Sequence, residues 1–226
     1  MKTDDEIRKD VIEEIRWDPQ LTNIAPQIGV TVKNEVVTLL GVVDYYAQKV
    51  AAENAAQRVN GVKVVATDIE VKGTDESQFK TDAQIGEAIR NALTWHSAVN
   101  EDLIDIKVDD GWVYLEGIVD WDYERKAAET AVENIMGVKG VFNKIKIKNI
   151  PVAPKDVKKK ITAAFHRHAS MDSANISVGV SGGTVTLTGK VRTWQERNDA
   201  EHVAWSMPGV TEVNNNLVID SEIYAL

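Results

Sequence analysis

The sequence predicts an α+β chain of three tandem αββαβ modules, each a three-stranded mixed sheet covered on one face by two helices. Three observations carry this prediction. Gly41, Gly117 and Gly189 each sit within a matching apolar strand pattern, VVTLLGVV, VYLEGIV and VTLTGKV. Gly61, Gly137 and Gly209 follow them, each 20 residues downstream. Helix-forming sequence fills every gap, and the whole register recurs with a period near 75, which chance does not produce three times in one chain. The units are placed at residues 1–73, 79–149 and 154–220.

Each unit opens on an amphipathic helix. Ile7, Val11 and Ile15, then Ile85, Ile89 and Leu93, then Val157, Ile161 and Phe165 stand at i, i+4 and i+8, which gives one buried stripe. The alternating segments IGVTV, IDIKV and ISVGV follow as strands. Asn34-Glu35, Asp110-Gly111 and Gly182-Gly183 then turn each chain into its glycine-bearing strand, forming a β-hairpin. At the hairpin, Gly41, Gly117 and Gly189 are expected to relieve crowding between strand and helix. A second helix is expected over about 46–59, 122–135 and 194–207, where Ala52, Ala55, Ala128, Ala131 and Ala200 permit close approach to the sheet. Its end is placed at Gly61, Gly137 or Gly209, as a left-handed cap. The final strand begins at Val65, Val141 or Val213. Units this small have modest cores, so burial between neighbours or between chains is expected. The connectors KGTDESQ and NIPVAP are short and polar or proline-containing.

Of the 226 residues, 43% are hydrophobic and 27% charged, the balance of an ordinary folded, water-soluble chain. A net charge of −9 disfavours a general nucleic-acid binder, whose phosphate contacts need a basic face. No apolar run approaches the roughly 18 residues of a membrane span, and the opening MKTDDEIRKD is charged, unlike a signal peptide. The expected location is therefore cytoplasmic for the sequence as written, or periplasmic if it is a trimmed mature form. The lack of cysteine excludes disulfides, thiolate metal sites and cysteine nucleophiles. Divided by unit, the charge is about −3, about −6 and about 0 along the chain, so the third unit differs from the second.

No catalytic constellation recurs in the three units. The only imidazoles are His96, His166, His168 and His202, and on a helix the i, i+2 spacing of His166 and His168 points them to different faces, so no metal site is expected. Asp4-Asp5, Glu101-Asp102 and Asp109-Asp110 fall at a helix start or in turns, where carboxylates cap backbone amides. Ser181-Gly182-Gly183-Thr184 lacks the lysine of a phosphate loop and sits between two strands. We expect no cofactor and no enzyme activity.

The candidate binding residues are basic and aromatic. In PKDVKKKITAAFHRH, the first helix of the third unit, Lys155, Lys158, Lys159, Lys160 and Arg167 are opposed only by Asp156. Such a basic amphipathic helix suits an anionic surface. Trp17 and Trp95 occupy equivalent places at the end of the first helix, where the third unit has Arg167, so the position need not be apolar. Tyr45, Tyr46, Trp121, Tyr123 and Trp194 gather at the start of the second helix, and Trp194 joins Trp17 and Trp95 as a candidate lipid contact.

The strand Val185, Leu187, Gly189 and Val191, with Gly209-Val210, Val213, Asn215 and Leu217 behind it, resembles the BON domain (bacterial OsmY and nodulation). The second unit repeats the pattern through Val113, Leu115, Gly117, Val119, Gly137-Val138, Val141, Asn143 and Ile145, and the first departs by placing Thr67 at the asparagine. The resemblance covers nearly the whole chain. It implies a non-catalytic bacterial module of stress or envelope biology that binds phospholipid or membrane surfaces, often in tandem copies. The expected partner is anionic phospholipid or a membrane-associated protein, not nucleic acid. The alternatives are an oligomeric, chaperone-like protein-interaction scaffold and, on the acidity of the second unit, an ion-binding protein.

Overall fold

The computed structural model describes residues 2–72, 81–151, 153–167 and 175–220, so most of the connector KGTDESQ lies outside the described residues, as does His168. The first unit runs α1 (Asp4–Trp17), β1 (Ile28–Lys33), β2 (Val36–Val43), α2 (Tyr46–Arg58) and β3 (Val64–Val71). The second runs α3 (Asp82–Thr94), β4 (Ile104–Asp109), β5 (Trp112–Val119), α4 (Asp122–Glu133) and a split last strand, β6 (Gly140–Asn143) and β7 (Lys146–Ile147). The third runs α5 (Pro154–Phe165), β8 (Ile176–Ser181), β9 (Thr184–Val191), α6 (Trp194–Trp205) and β10 (Glu212–Ile219). In every sheet the glycine-bearing strand is central, antiparallel to the strand before it and parallel to the strand after the second helix. The α+β architecture of three mixed sheets is the one that the sequence pattern indicates.

Alternation on the central strands decides which face is covered. Val37, Leu39 and Val43 point inward with Val113, Leu115 and Val119 and with Val185, Leu187 and Val191, all almost fully buried. They meet the helical stripes Ile7/Val11/Ile15, Ile85/Ile89/Leu93 and Val157/Ile161/Phe165. Each such side chain contributes about 1.5–3 kcal/mol by leaving water.

The hairpin turns have the expected two-residue form. Asn34 (φ 51°), Glu35 (φ 63°), Asp110 (φ 48°) and Gly111 (φ 77°) adopt the left-handed conformation that matches hairpin twist. Here the acidic helix starts find their task. Asp4 accepts from the amides of Asn34 at 2.8 Å and Glu35 at 3.0 Å, and Asp82 accepts from those of Asp110 at 2.9 Å and Gly111 at 3.0 Å. The third unit has Pro154 at that place, which starts its helix but offers no such clasp.

Two expectations about glycine are corrected. A methyl group on Gly41, Gly117 or Gly189 would stand 2.0–2.3 Å from the carbonyl oxygen of Gln27, Leu103 or Asn175, so the crowding is with the short 3-10 turn just ahead of the first strand, not with either α-helix. Gly61, Gly137 and Gly209 do not cap the second helices, which end at Arg58, Glu133 and Trp205. They are third residues of separate tight turns closed by Val62 N–H to Val59 O, Val138 N–H to Ile135 O and Val210 N–H to Met207 O. Glycine with positive φ at that place, behind Pro208 in the third unit, is the pattern of a type II turn. It delivers Val62, Val138 and Val210 into the cores.

The three units touch through repeated positions. Tyr46, Asp122 and Trp194 are equivalent, as are Gln57, Glu133 and Trp205. Tyr46 packs on the core of the later units and lies among Glu133, Glu129 and the Val141 backbone. Trp121, Asp122 and Tyr123 face His202, Trp205 and Ser206 across a cleft of about 150 Å³. Trp194, Gln195 and Asn198 face Asn54, Gln57 and Arg58 across one of about 240 Å³. First meets second, second meets third and third returns to first, so the chain closes on itself with approximate threefold repetition. The second and third units share one buried apolar cluster, while the first keeps its own.

Candidate functional site

Helix α5 turns Val157, Ile161 and Phe165 inward, and the same periodicity turns Lys155, Lys158, Lys159 and Lys160 out to solvent. Among the described residues no carboxylate lies within ion-pair distance of any of these four lysines, although Asp156 shares their helix. Arg167, just past the helix end, is exposed and donates to the Ala163 carbonyl at 3.0 Å. The result is a coherent positive surface on an otherwise acidic chain.

Trp17 and Trp95 are 86% and 88% exposed, the most open large apolar side chains among the described residues. Trp17 borders a cleft that also holds Arg58, whose guanidinium is bound to Glu14 at 2.7 Å and Asp18 at 2.9 Å. Trp194 is placed elsewhere. It is half-buried where the third unit meets the first, with Arg197 stacked 5.2 Å from its ring centroid and its indole N–H buried without an acceptor.

Several residues escape a reading of the sequence. Glu53, Glu129 and Glu201 stand at one position of the second helices. Glu129 accepts from the Asn143 side-chain amide at 3.1 Å and Glu201 from that of Asn215 at 2.8 Å, while the same amides bond the Arg125 and Arg197 carbonyls. The asparagine of the last strand therefore ties strand to helix. In the first unit Thr67 stands there, its buried hydroxyl beside the Glu53 carboxyl, where it helps Lys49 oppose the upward push of burial on that group. Trp205, buried and covered by the Arg125 guanidinium at 4.3 Å, belongs to the junction of the second and third units. On the outer face of the second sheet, Phe142 stacks between Tyr114 (4.9 Å) and Trp112 (5.4 Å), with Lys107 and Lys144 flanking Tyr114. The alternation of β5 and β6 is the signal that could have marked this row.

The junction of the first and second units is acidic. Burial pushes the Glu53 carboxyl above its ordinary range against the pull of Lys49. Burial first, then Glu129 and Glu53, pushes up Glu133, and burial with the same carboxylates raises the Tyr46 phenol. Among the described residues, no group of three or more His, Asp or Glu side chains is arranged to hold a metal ion. His96 accepts from the Ala98 amide at 3.3 Å. No helix among the described residues is long and apolar enough to cross a membrane. These surfaces offer a positive helix, two open indoles and polar clefts.

Comparison with known proteins bears on the same units. The sequence model of the BON domain matches three times, at residues 3–73, 81–149 and 155–221. The osmotically-inducible protein Y of Escherichia coli (strain K12) is 26% identical over 180 residues, which span 74% of this chain and 85% of that protein. An uncharacterised protein in the gshII 5′ region of Anaplasma centrale is 30% identical over 138 residues, 58% of this chain and 90% of that one. A solved structure of CdsD, a structural protein of the type III secretion system of Chlamydia trachomatis, aligns over 94% of this chain and 91% of its own at 15% identity, but with a TM-score of only 0.28.

Proposed function

This chain belongs to the BON domain family, and from that premise we propose that it is a non-catalytic, osmotic-stress-related protein that attaches reversibly to anionic phospholipid surfaces. The observation that carries the reading is the exposed row Lys155, Lys158, Lys159 and Lys160, extended by Arg167, none of whose lysines is ion-paired among the described residues. Each basic residue near an anionic membrane is worth about 1 kcal/mol, so the row supports weak, salt-sensitive attachment. Trp17 and Trp95 supply the amphipathic rings that settle at a lipid–water boundary. The osmotically inducible relative supports a stress setting, and the absence of any repeated acid, base and nucleophile set in the sequence supports a binding role.

Co-sedimentation with anionic and neutral vesicles across a salt series tests the reading. Binding should favour anionic vesicles and fall as salt rises. Replacing Lys158, Lys159 and Lys160 together by alanine should weaken it by about a hundredfold, from the loss of about 3 kcal/mol. Equal affinity for neutral vesicles, or indifference to salt, would sink the proposal.

A second reading has its own support in the outward row Trp112, Phe142 and Tyr114, since an aromatic patch on a sheet face suits a protein contact. Under that reading the chain is a protein-interaction scaffold. It would self-associate by native mass or suppress aggregation of a client, and replacing Trp112 by serine would abolish the effect.

A further inference from the structure

The two clefts of about 150 and 240 Å³ occupy the same place in the threefold repetition, yet their linings differ. Between the second and third units the walls are Trp121, Tyr123 and Trp205, with Asp122 held by Arg125 and Lys126. Between the third and first units, four amide side chains converge instead: Asn54, Gln57, Gln195 and Asn198. Their counterparts in the aromatic cleft's two units are His202, Trp205, Tyr123 and Lys126, so the amides are particular to this junction and not a requirement of the fold.

The chemistry on offer there is specific. Asn54, Gln57 and Asn198 make no side-chain hydrogen bond among the described residues, and Gln195 makes one, to Asp199. The half-buried Trp194 forms an apolar wall; its indole N–H is turned into the protein, as that of Trp205 is, so the ring and not the N–H faces an occupant. Among the described residues Arg58 is the only charged member of the lining, and Glu14 and Asp18 already engage it. The cleft thus presents paired donors and acceptors and one flat apolar surface, and the charge of Arg58 is already engaged by carboxylates outside the lining. A charged ligand would lose water without gaining a counter-charge, and a hydrocarbon would leave the amides unpaired. A compound with closely spaced hydroxyls and an apolar ring face meets both demands. The volume lies below the roughly 300–1,000 Å³ of drug-sized sites, which restricts the occupant to a small molecule or the end of a chain.

We infer that the junction of the third and first units is a binding site for a neutral polyhydroxy compound, a sugar or polyol, and that its occupant bridges α6 to α2 where the ring of units closes. The site shares no lining residue with the basic row of α5.

Isothermal titration calorimetry of the full chain with trehalose, and in parallel with maltohexaose, tests the inference. Sugars stabilise folded proteins unspecifically by exclusion from their surfaces, so the readout must be saturable heat and its response to substitution. Asn54 and Asn198 are exposed, and their replacement leaves the cores intact. The double variant Asn54→Ala/Asn198→Ala should bind about tenfold more weakly, as loss of two hydrogen-bonding groups requires. The variant His202→Ala, in the aromatic cleft, should bind as the unaltered protein does. Saturation by trehalose identifies a free solute, and saturation by maltohexaose alone identifies a glycan end. Heats that fail to saturate with either sugar, or saturable binding that the Asn54/Asn198 variant retains in full, overturn the inference.

Discussion

A methyl group built on Gly117 would stand 2.1 Å from the Leu103 carbonyl oxygen, at a φ of 148° that side chains rarely adopt. The obstacle is backbone, so no rotamer change relieves it. Gly117→Ala should therefore cost about 3 kcal/mol or more, from overpacking and backbone strain together, read as a lower urea midpoint with the slope unchanged. Gly140→Ala tests a different obstacle, since the added methyl group meets the Trp112 ring, which can move, and a smaller loss is expected. The sequence shows that Gly41, Gly117 and Gly189 recur, but not why. The carbonyl that forbids a side chain belongs to a segment with no pattern of its own. Glu53, Glu129 and Glu201 are harder still to notice, because glutamate is common on helices and their meaning lies in the partner across the strand.

At the scale of elements, periodicity made most of the fold legible. The second helices begin at Tyr46, Asp122 and Trp194, where the sequence puts them, and the hairpins turn at the named pairs. Their ends were less legible, since a glycine in a following turn and a glycine at a cap look alike in sequence. The clasp between helix start and hairpin was not legible at all, because it joins residues about thirty positions apart. It makes a clear prediction. Asp82→Ala removes two hydrogen bonds from backbone amides to a carboxylate at an exposed site, and should cost about 1–2 kcal/mol in chemical unfolding. Asp82→Asn, which keeps one acceptor oxygen, should recover part of that loss. The lysines of α5 illustrate the opposite case: exposure follows from the buried stripe Val157, Ile161 and Phe165, so this candidate surface could be read from spacing alone.

In the whole molecule, the ring of units places like charges where the first unit meets the second. Glu53 and Glu133 both titrate above their ordinary value of 4.5, chiefly through burial, with Glu129 adding to Glu133 and Lys49 opposing at Glu53. Folding therefore favours their protonated forms. Their contribution to stability is complete below the unfolded value and is lost as pH rises through the higher folded values. Glu133→Gln removes one charge that the junction tolerates poorly. Its melting temperature should exceed that of the unaltered protein at pH 7 to 8, and the difference should close as pH falls toward 4.5. A difference that stays constant with pH would trace the effect to packing, not to charge. Because Glu133 has its counterparts in Gln57 and Trp205, the same ring position carries an acid, an amide and an indole at its three junctions. A symmetric fold needs only that the three positions fit their neighbours. Their divergence means that the relief of carboxylate crowding on acidification belongs to the first junction, since the amide and the indole at the other two carry no charge to lose there, so melting followed separately in each unit should show the first unit gaining most.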